Sequence, residues 1–339
     1  STAGYHGGGV SLPEIPVKTV VHPSGGSDDT AVIQNAIDDV AALPEQNGFR
    51  GAVLLGPGTF TCSNAIVIPT NGIVLRGSGA KRTTIQMTGS RHVAIRAGMG
   101  GRNRRPERNG ERDPNEDFPE TNNLSIVQTT IADAYVPAGT RTFSITDVQG
   151  FTEGDVIEIR RPVTEAWVKF MGMDNLTRNG RPQTWIRTGT ILPIERRIAA
   201  ISGNTIMVDV PLSDSLNPDY QNDIMVVKID PPKRLTEVGI EDLHIQSPPQ
   251  RVNHTQELYT AIRLSGEDCW IRDVVIDETM NSVGLGGRRI TVQNVSVNRK
   301  ALHLGASKPA EFAPNGDQIL LDRCSVNADN VWFAATGAG

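Results

Sequence analysis

The chain is short of cysteine, of aromatic residues and of any strong excess of one charge. It has three cysteines in 339 residues, Cys62, Cys269 and Cys324, far apart in the chain. An odd number at such spacing excludes a disulfide framework and gives no metal-ligand pattern, so buried free thiols are expected. No run of about 20 apolar residues is present, which excludes a membrane-spanning helix. A formal net charge of -5 offers no basic excess for nucleic acid or for an anionic membrane. Neither is expected as a partner. The chain starts at Ser1 with no Met and no apolar leader, which fits a trimmed amino terminus.

What is abundant is glycine, 34 residues, and proline, 21, beside 5% aromatics. That composition suits many short strands joined by tight turns better than a helical bundle. One segment departs from it. Ser27-Asp28-Asp29-Thr30 stands before Val32, Ile33, Ala36, Ile37 and Val40, the spacing of one helix face behind an acidic N-cap pair. Short β-branched runs follow, punctuated by Gly, Pro and Asn: residues 51–60, 65–68 and 72–79.

These three signals in order, the Asp28-Asp29-Thr30 helix with Gln34 and Ile37, the Gly51 to Phe60 strand pair and the Gly72-Ile73-Val74-Leu75 strand, resemble the opening of the pectate lyase superfamily. The resemblance covers about the first 90 residues. It implies an all-β fold, a right-handed single-stranded parallel β-helix with an N-terminal capping helix that shields the first rung. It also implies work on a polysaccharide or oligosaccharide, and hence a secreted or periplasmic location.

The coil pattern returns at residues 238–245. Residues 261–264, 282–285, 301–304 and 330–333 align as equivalent strands of successive coils, with steps of 21, 19 and 29 residues from Ile262. The last step is expected to absorb an insertion at 306–315. Residues 99–121 form a charged loop, and 128–235 lack a coil period. Strand 154–160 and a Gly203-Asn204 hairpin make this stretch a β-rich insertion beside the solenoid. The expected organisation is therefore 1–127 for the cap and first coils, 128–235 for the insertion, and 236–339 for further coils. The final residues follow a coil strand directly, so either the coils are expected to continue beyond residue 339 or another element is expected to cover that edge.

Alternation on the aligned strands sends Arg263, Gly284, His303 and Trp332 outward in one column. Rungs stack about 4.8 Å apart, placing Arg263 and His303 roughly 10 Å apart across a bare Gly284. Around this groove stand Glu257, Tyr259, Glu278, Arg288, Lys308 and Glu311. Elimination from a uronate needs a cation for the enolate, a base and an acid. Arg263, Lys308 or Arg288 supplies the first, and His303 or Tyr259 the others. Hydrolysis needs two carboxyls about 5–9.5 Å apart, for which Glu278, Glu257 and Glu311 are available. Both reactions stay open, as does non-catalytic glycan binding. In the insertion, Trp167 and Trp185 near Arg187 form either a sugar-binding face or a small core.

The superfamily's calcium-binding aspartate groups, its Asn-Thr-Asp strand and its Gly-His-Gly are absent, so no catalytic residue carries over from the resemblance. No cofactor is required by the sequence. Calcium stays open, and no metal ligand is assigned. Asp28 and Asp29 sit at a helix start, where capping explains them.

Overall fold

The computed structural model describes residues 2–98, 127–178, 180–252, 256–304, 309–329 and 331–333. The charged stretch 99–121, Lys308 and the residues after 333 lie outside them. The chain divides into two compact units, one drawn from Ser1–Asn103 and Lys233–Thr336, the other from Arg104–Pro232.

The first unit is a 15-stranded sheet that curls on itself as three parallel ladders, visited in turn by the chain. On the first face, Val17–Val21, Gly51–Leu55, Ile73–Arg76 and the start of Gly239–Gln246 stack in order. The segments around Ile271 and Val292 and the strand Leu320–Asp322 continue that ladder. Gly58–Cys62, Thr83–Met87, the end of Gly239–Gln246, the segments ending at Asp277 and Asn298, and Ser325–Asn327 form the second face. The third runs through Ile66–Ile68, Val93–Ala97, the starts of Thr260–Asp277 and Val283–Asn298, Ala310–Pro314 and Val331–Phe333.

This arrangement explains the two longest strands. Thr260–Asp277 and Val283–Asn298 each run along all three faces and turn two corners without leaving extended pairing. The corners are single residues in the left-handed region: Asp268 and Asp273 on one rung, Arg289 and Asn294 on the next. Asp and Asn adopt that region more readily than other non-glycine residues, because a short polar side chain bonds locally there. Between corners, alternation sends Val53, Ile73, Ile240, Ile271 and Val292 inward from the first face, and comparable residues inward from the other two. Each such buried aliphatic side chain contributes about 1.5–3 kcal/mol relative to exposure, which is what holds the rungs together.

The predicted helix spans Thr30–Ala41 (α1). Ile33, Ala36, Ile37 and Val40 join the core of the first unit, whereas Val32 stays 40% exposed. Gln34 reaches the edge strand, its amide donating to the Val67 carbonyl at 3.0 Å and accepting from the Val67 amide at 2.8 Å. It satisfies that backbone as a neighbouring strand would. Only one of the acidic pair serves the helix start. Asp28 accepts from the Thr30 amide, and Asp29 turns back to the amides of Ser24 and Thr61, fastening the helix start to the strand Gly58–Cys62. Asp29 makes no side-chain bond to the first turn of α1. Cys62 and Cys269 are buried free thiols, and Cys324 is half-buried.

The second unit contains a six-stranded antiparallel sheet around Val156–Pro162 and Ile191–Ser202, with a core of Phe143, Ile157, Ile159, Ile194, Ile206 and Val226 among others. The Gly203-Asn204 turn joins Ile191–Ser202 to Thr205–Val208, with Ser202 paired to Thr205. Gly203 takes φ 58° at the turn, as this short hairpin requires. A short helix, Glu165–Phe170 (α2), is capped by Thr164, which accepts from the Trp167 amide at 3.0 Å.

Candidate functional site

The expected groove column is corrected by the register of the third face. Val283 pairs with Phe312 and Gly284 with Ala313, so the rung after Gly284 presents Ala313 and not His303. Residues 301–304 form no strand. Leu302 and Leu304 are 59% and 66% exposed while His303 is buried, the reverse of the expected alternation. Leu-His-Leu imitates a strand, but the next rung begins only at Ala310–Pro314, inside the segment taken as an insertion. Phe333 then pairs with Phe312, which puts Trp332 beyond Glu311 and not beyond His303.

Arg263 does stand beside Gly284, but its guanidinium lies down along the sheet. A Cβ on Gly284 would meet the Arg263 side chain at 2.7 Å, so glycine is what leaves room for it. Its Nη1 donates to the Asn281 carbonyl at 2.8 Å. Burial, and then the neighbouring Arg96, push its pKa down to about 10. It remains a cation at neutral pH.

The carboxylates assigned to hydrolysis hold turns in place. Glu278 accepts from the amides of Lys300 and Ala301 at 3.0 and 3.2 Å. Glu311 is fully buried, accepting from the Ser282 amide at 3.0 Å and from the Ser282 hydroxyl, with Arg299 3.6 Å away. Arg288 is buried and donates to Gln318 at 2.9 Å. Glu311 and Arg288 are closed off from solvent, and the half-buried Glu278 is committed to the turn at Lys300.

Two of the expected residues do come together. Tyr259 and Glu257 line an open hollow of about 450 Å³ with Gly89, Ser90, Arg91, Pro248, Pro249 and Gln250. It forms where the turns between the second and third faces of two stacked rungs meet. Gln250, buried, bonds to both the amide and the carbonyl of Tyr259 and to the Glu278 carbonyl, which fixes the floor. The Tyr259 hydroxyl donates to the Gly89 carbonyl at 2.5 Å, tying one rung's turn to the next. Arg91 and Glu257 are exposed at the rim. Arg91 and Gln250 were missed from sequence because each sits in a turn with no period of its own. Aligning the two turns after Met87 and Gln246 would have found them. The hollow presents a cation and a carboxylate, Arg91 and Glu257, above a floor whose amide and phenol are committed to backbone groups.

In the second unit, Trp167 is 7% exposed in a small core with Val163, Val168, Met173 and Leu192. The binding alternative does not hold for this tryptophan. Trp185 and Arg187 are exposed.

One group among the described residues brings ligand atoms close enough for a cation, those of His6, Glu237 and Asp268, within 4.8 Å of one another. Each is already engaged. Arg289 donates to both Asp268 oxygens at 2.7 and 2.6 Å, and the Tyr5 hydroxyl donates to Glu237 at 2.6 Å. The group reads as an ion-paired clasp holding the amino-terminal segment.

No family model matches the chain, and no curated protein matches it. Among solved structures it is similar to the tailspike protein gp49 of Pseudomonas phage LKA1, at 14% identity and a TM-score of 0.39, over 89% of this chain and 42% of that one. It is also similar to the tailspike gp61 of Pseudomonas phage phi297, at 13% identity and 0.38, over 88% and 44%. A third is the Gp54 tailspike of Acinetobacter baumannii bacteriophage AP22, described in complex with A. baumannii capsular saccharide, at 11% and 0.33, over 89% and 44%. The chain spans less than half the length of these three proteins. Among the described residues no helix is long and apolar enough to cross a membrane.

Proposed function

We propose that this protein is a right-handed parallel β-helix that binds an acidic polysaccharide in the hollow between its second and third faces. The observation that carries the reading is the gathering of Arg91, Gln250, Glu257 and Tyr259 around one open space of about 450 Å³. That volume falls within the range of about 300–1,000 Å³ usual for ligand pockets. Arg91 pairs with a uronate carboxylate, and Pro248 and Pro249 give an apolar wall for the C–H face of a sugar. On this reading the protein works outside the cytoplasm, where such polysaccharides are met.

The finer form of the reading is β-elimination. A base removes the C5 proton, the C4–O bond breaks, a C4=C5 double bond forms, and the leaving oxygen takes a proton. Glu257 is the exposed base and Arg91 the cation that steadies the enolate, and the leaving oxygen takes its proton from water in the open hollow. Hydrolysis ranks below it, because Glu257 is the one carboxylate among the lining residues and a glycosidase needs two.

The test is a binding and product assay on a panel of oligogalacturonate, alginate and neutral glucan oligomers. Binding of the acidic oligomers, weakened about tenfold or more in Arg91→Ala, supports the hollow, since a charge-assisted hydrogen bond is worth about 1.5–3 kcal/mol. Unsaturated product, absorbing in the ultraviolet and lost in Glu257→Gln, establishes elimination. Binding without product leaves a glycan-binding protein. Equal affinity for wild type and Arg91→Ala overturns the site.

A further inference from the structure

The most exposed large hydrophobic residue among the described ones belongs to the second unit and not to the hollow. Trp185 is 78% exposed, and Phe170 and Met171 are 61% and 52% exposed. All three stand on one lobe, whose inner side is a single small cluster. Trp167 and Val168 of α2 face into it with Met173, and Ile186, Leu176 and Tyr220 pack against it. Along 184–187 burial alternates, Thr184 and Ile186 partly buried, Trp185 and Arg187 exposed. The indole and the guanidinium therefore leave the lobe from the same stretch, two residues apart. Phe170 is not free to turn inward, because its ring stacks on Tyr220 at 4.2 Å and 22°.

We propose that this lobe is a second saccharide-binding surface, separate from the hollow, with Trp185 and Phe170 as stacking platforms for an acidic glycan. It rests on the reading of the protein as a glycan binder. An indole presents a flat apolar face to the C–H side of a pyranose and keeps an N–H for a hydroxyl, and it loses little rotamer freedom on binding. The lobe's exposed charges choose the class of sugar. An exposed cation adjoins each ring in the chain, Lys169 before Phe170 and Arg187 two residues after Trp185, which favours a carboxylated chain over a neutral one. An apolar protein partner is disfavoured by the same cations, which are costly to desolvate unpaired. The sequence pairing of two tryptophans with basic residues thus splits in space: Trp167 builds the support, and Trp185 is the platform it displays.

The full chain is titrated with oligogalacturonate, with alginate oligomers, and with a maltooligosaccharide as the uncharged control, by calorimetry and tryptophan fluorescence. The lobe predicts two acidic-oligomer sites. Trp185→Ala weakens one of them at least about tenfold, in line with the loss of a desolvated stacking contact. Arg187→Ala weakens the same site and flattens its salt dependence. Thermal stability stays unchanged in both, because neither side chain is buried. Arg91→Ala removes the other site and leaves the Trp185-dependent one intact, so the two readings fail separately. Wild-type titrations in Trp185→Ala overturn the proposal. So does concentration-dependent self-association in sedimentation that Trp185→Ala abolishes, which assigns the surface to a second copy of the chain.

Discussion

Glu241 is the residue on which the coiled sheet leans most heavily. Its carboxylate is fully buried and accepts from Arg76 Nε at 2.6 Å, Arg272 Nη2 at 2.9 Å and Trp270 Nε1 at 2.8 Å. The three partners come from two neighbouring rungs of the first face, with the indole seated over Gly239, where a Cβ would lie 2.4 Å from the ring. Glu241→Ala leaves two mostly buried guanidinium groups and an indole N–H without their acceptor. Stranding one side of a buried ion pair costs about 3–5 kcal/mol. For a unit of this size each kcal/mol lowers Tm by about 2–4 °C, so a fall of about 6–20 °C is expected. Trp270→Phe keeps the ring and removes only the donor, at about 0.5–1.5 kcal/mol.

The assay is urea unfolding and calorimetry of wild type, both single variants and the double variant. Strong non-additivity is expected, because the two side chains share one hydrogen bond. A third chain, Glu241→Leu with Arg76→Met and Arg272→Met, should recover most of the loss, since the cost comes from uncompensated charge and not from lost attraction. A Glu241→Ala variant within about 1 kcal/mol of wild type would refute the reasoning. Additive single variants would refute the shared bond.

Gln34→Ala should cost about 1–3 kcal/mol, two hydrogen bonds to Val67, and should speed hydrogen exchange at the Val67 amide; unchanged exchange would remove the edge-pairing role. Glu237 gives a pH test. Burial first, and Asp268 besides, hold its carboxyl above the usual range, against the opposing Tyr5 hydroxyl and His6. The folded state therefore binds this proton more tightly than the unfolded chain. The resulting stability is complete below the unfolded value of about 4.3 and is lost as pH rises through the raised one. Wild type should lose stability relative to Glu237→Gln over that window, by no more than about 1.4 kcal/mol per pH unit, and parallel urea midpoints would exclude it. Burial pushes the Cys62 and Cys269 thiols up to about 12, so a thiol reagent at pH 8 should reach them only on unfolding, after the half-buried Cys324.

The helix, the opening strands and the Gly203-Asn204 hairpin were legible because each carries a local signal: a capped apolar face, β-branched runs between glycines, a two-residue turn. Register late in the chain was not. Leu302-His303-Leu304 alternates as a strand should, whereas Ala310–Pro314 has no β-branched residue, and only Phe312 marks it as core. Alternation read along one segment cannot decide which of two candidates stacks on Val283, because the turn before it has no fixed length. The core can, since the rung needs an inward residue opposite Val283 and Phe312 fills it.

The site was harder to read for a related reason. Several side chains assigned to chemistry, Glu257, Tyr259, Glu278 and His303 among them, lie on the long turns between the second and third faces, and those turns leave backbone groups outside the ladders. A buried amide without a partner costs about as much as a lost hydrogen bond, so neighbouring polar side chains are drawn to it. Glu278 serves Lys300 and Ala301, Glu311 serves Ser282, Asn281 serves Ala310, and Gln250 serves Tyr259. Glu278 and Gln250 satisfy backbone of an adjoining or of their own turn, and Asn281 and Glu311 join a turn to the strand Ala310–Pro314; none of these bonds is visible in strand periodicity. A polar residue on such a turn is therefore first a candidate for holding the solenoid's corners. It becomes a candidate for substrate where its charge still meets solvent, and along this stack Arg91 and Glu257 meet that condition around a shared hollow.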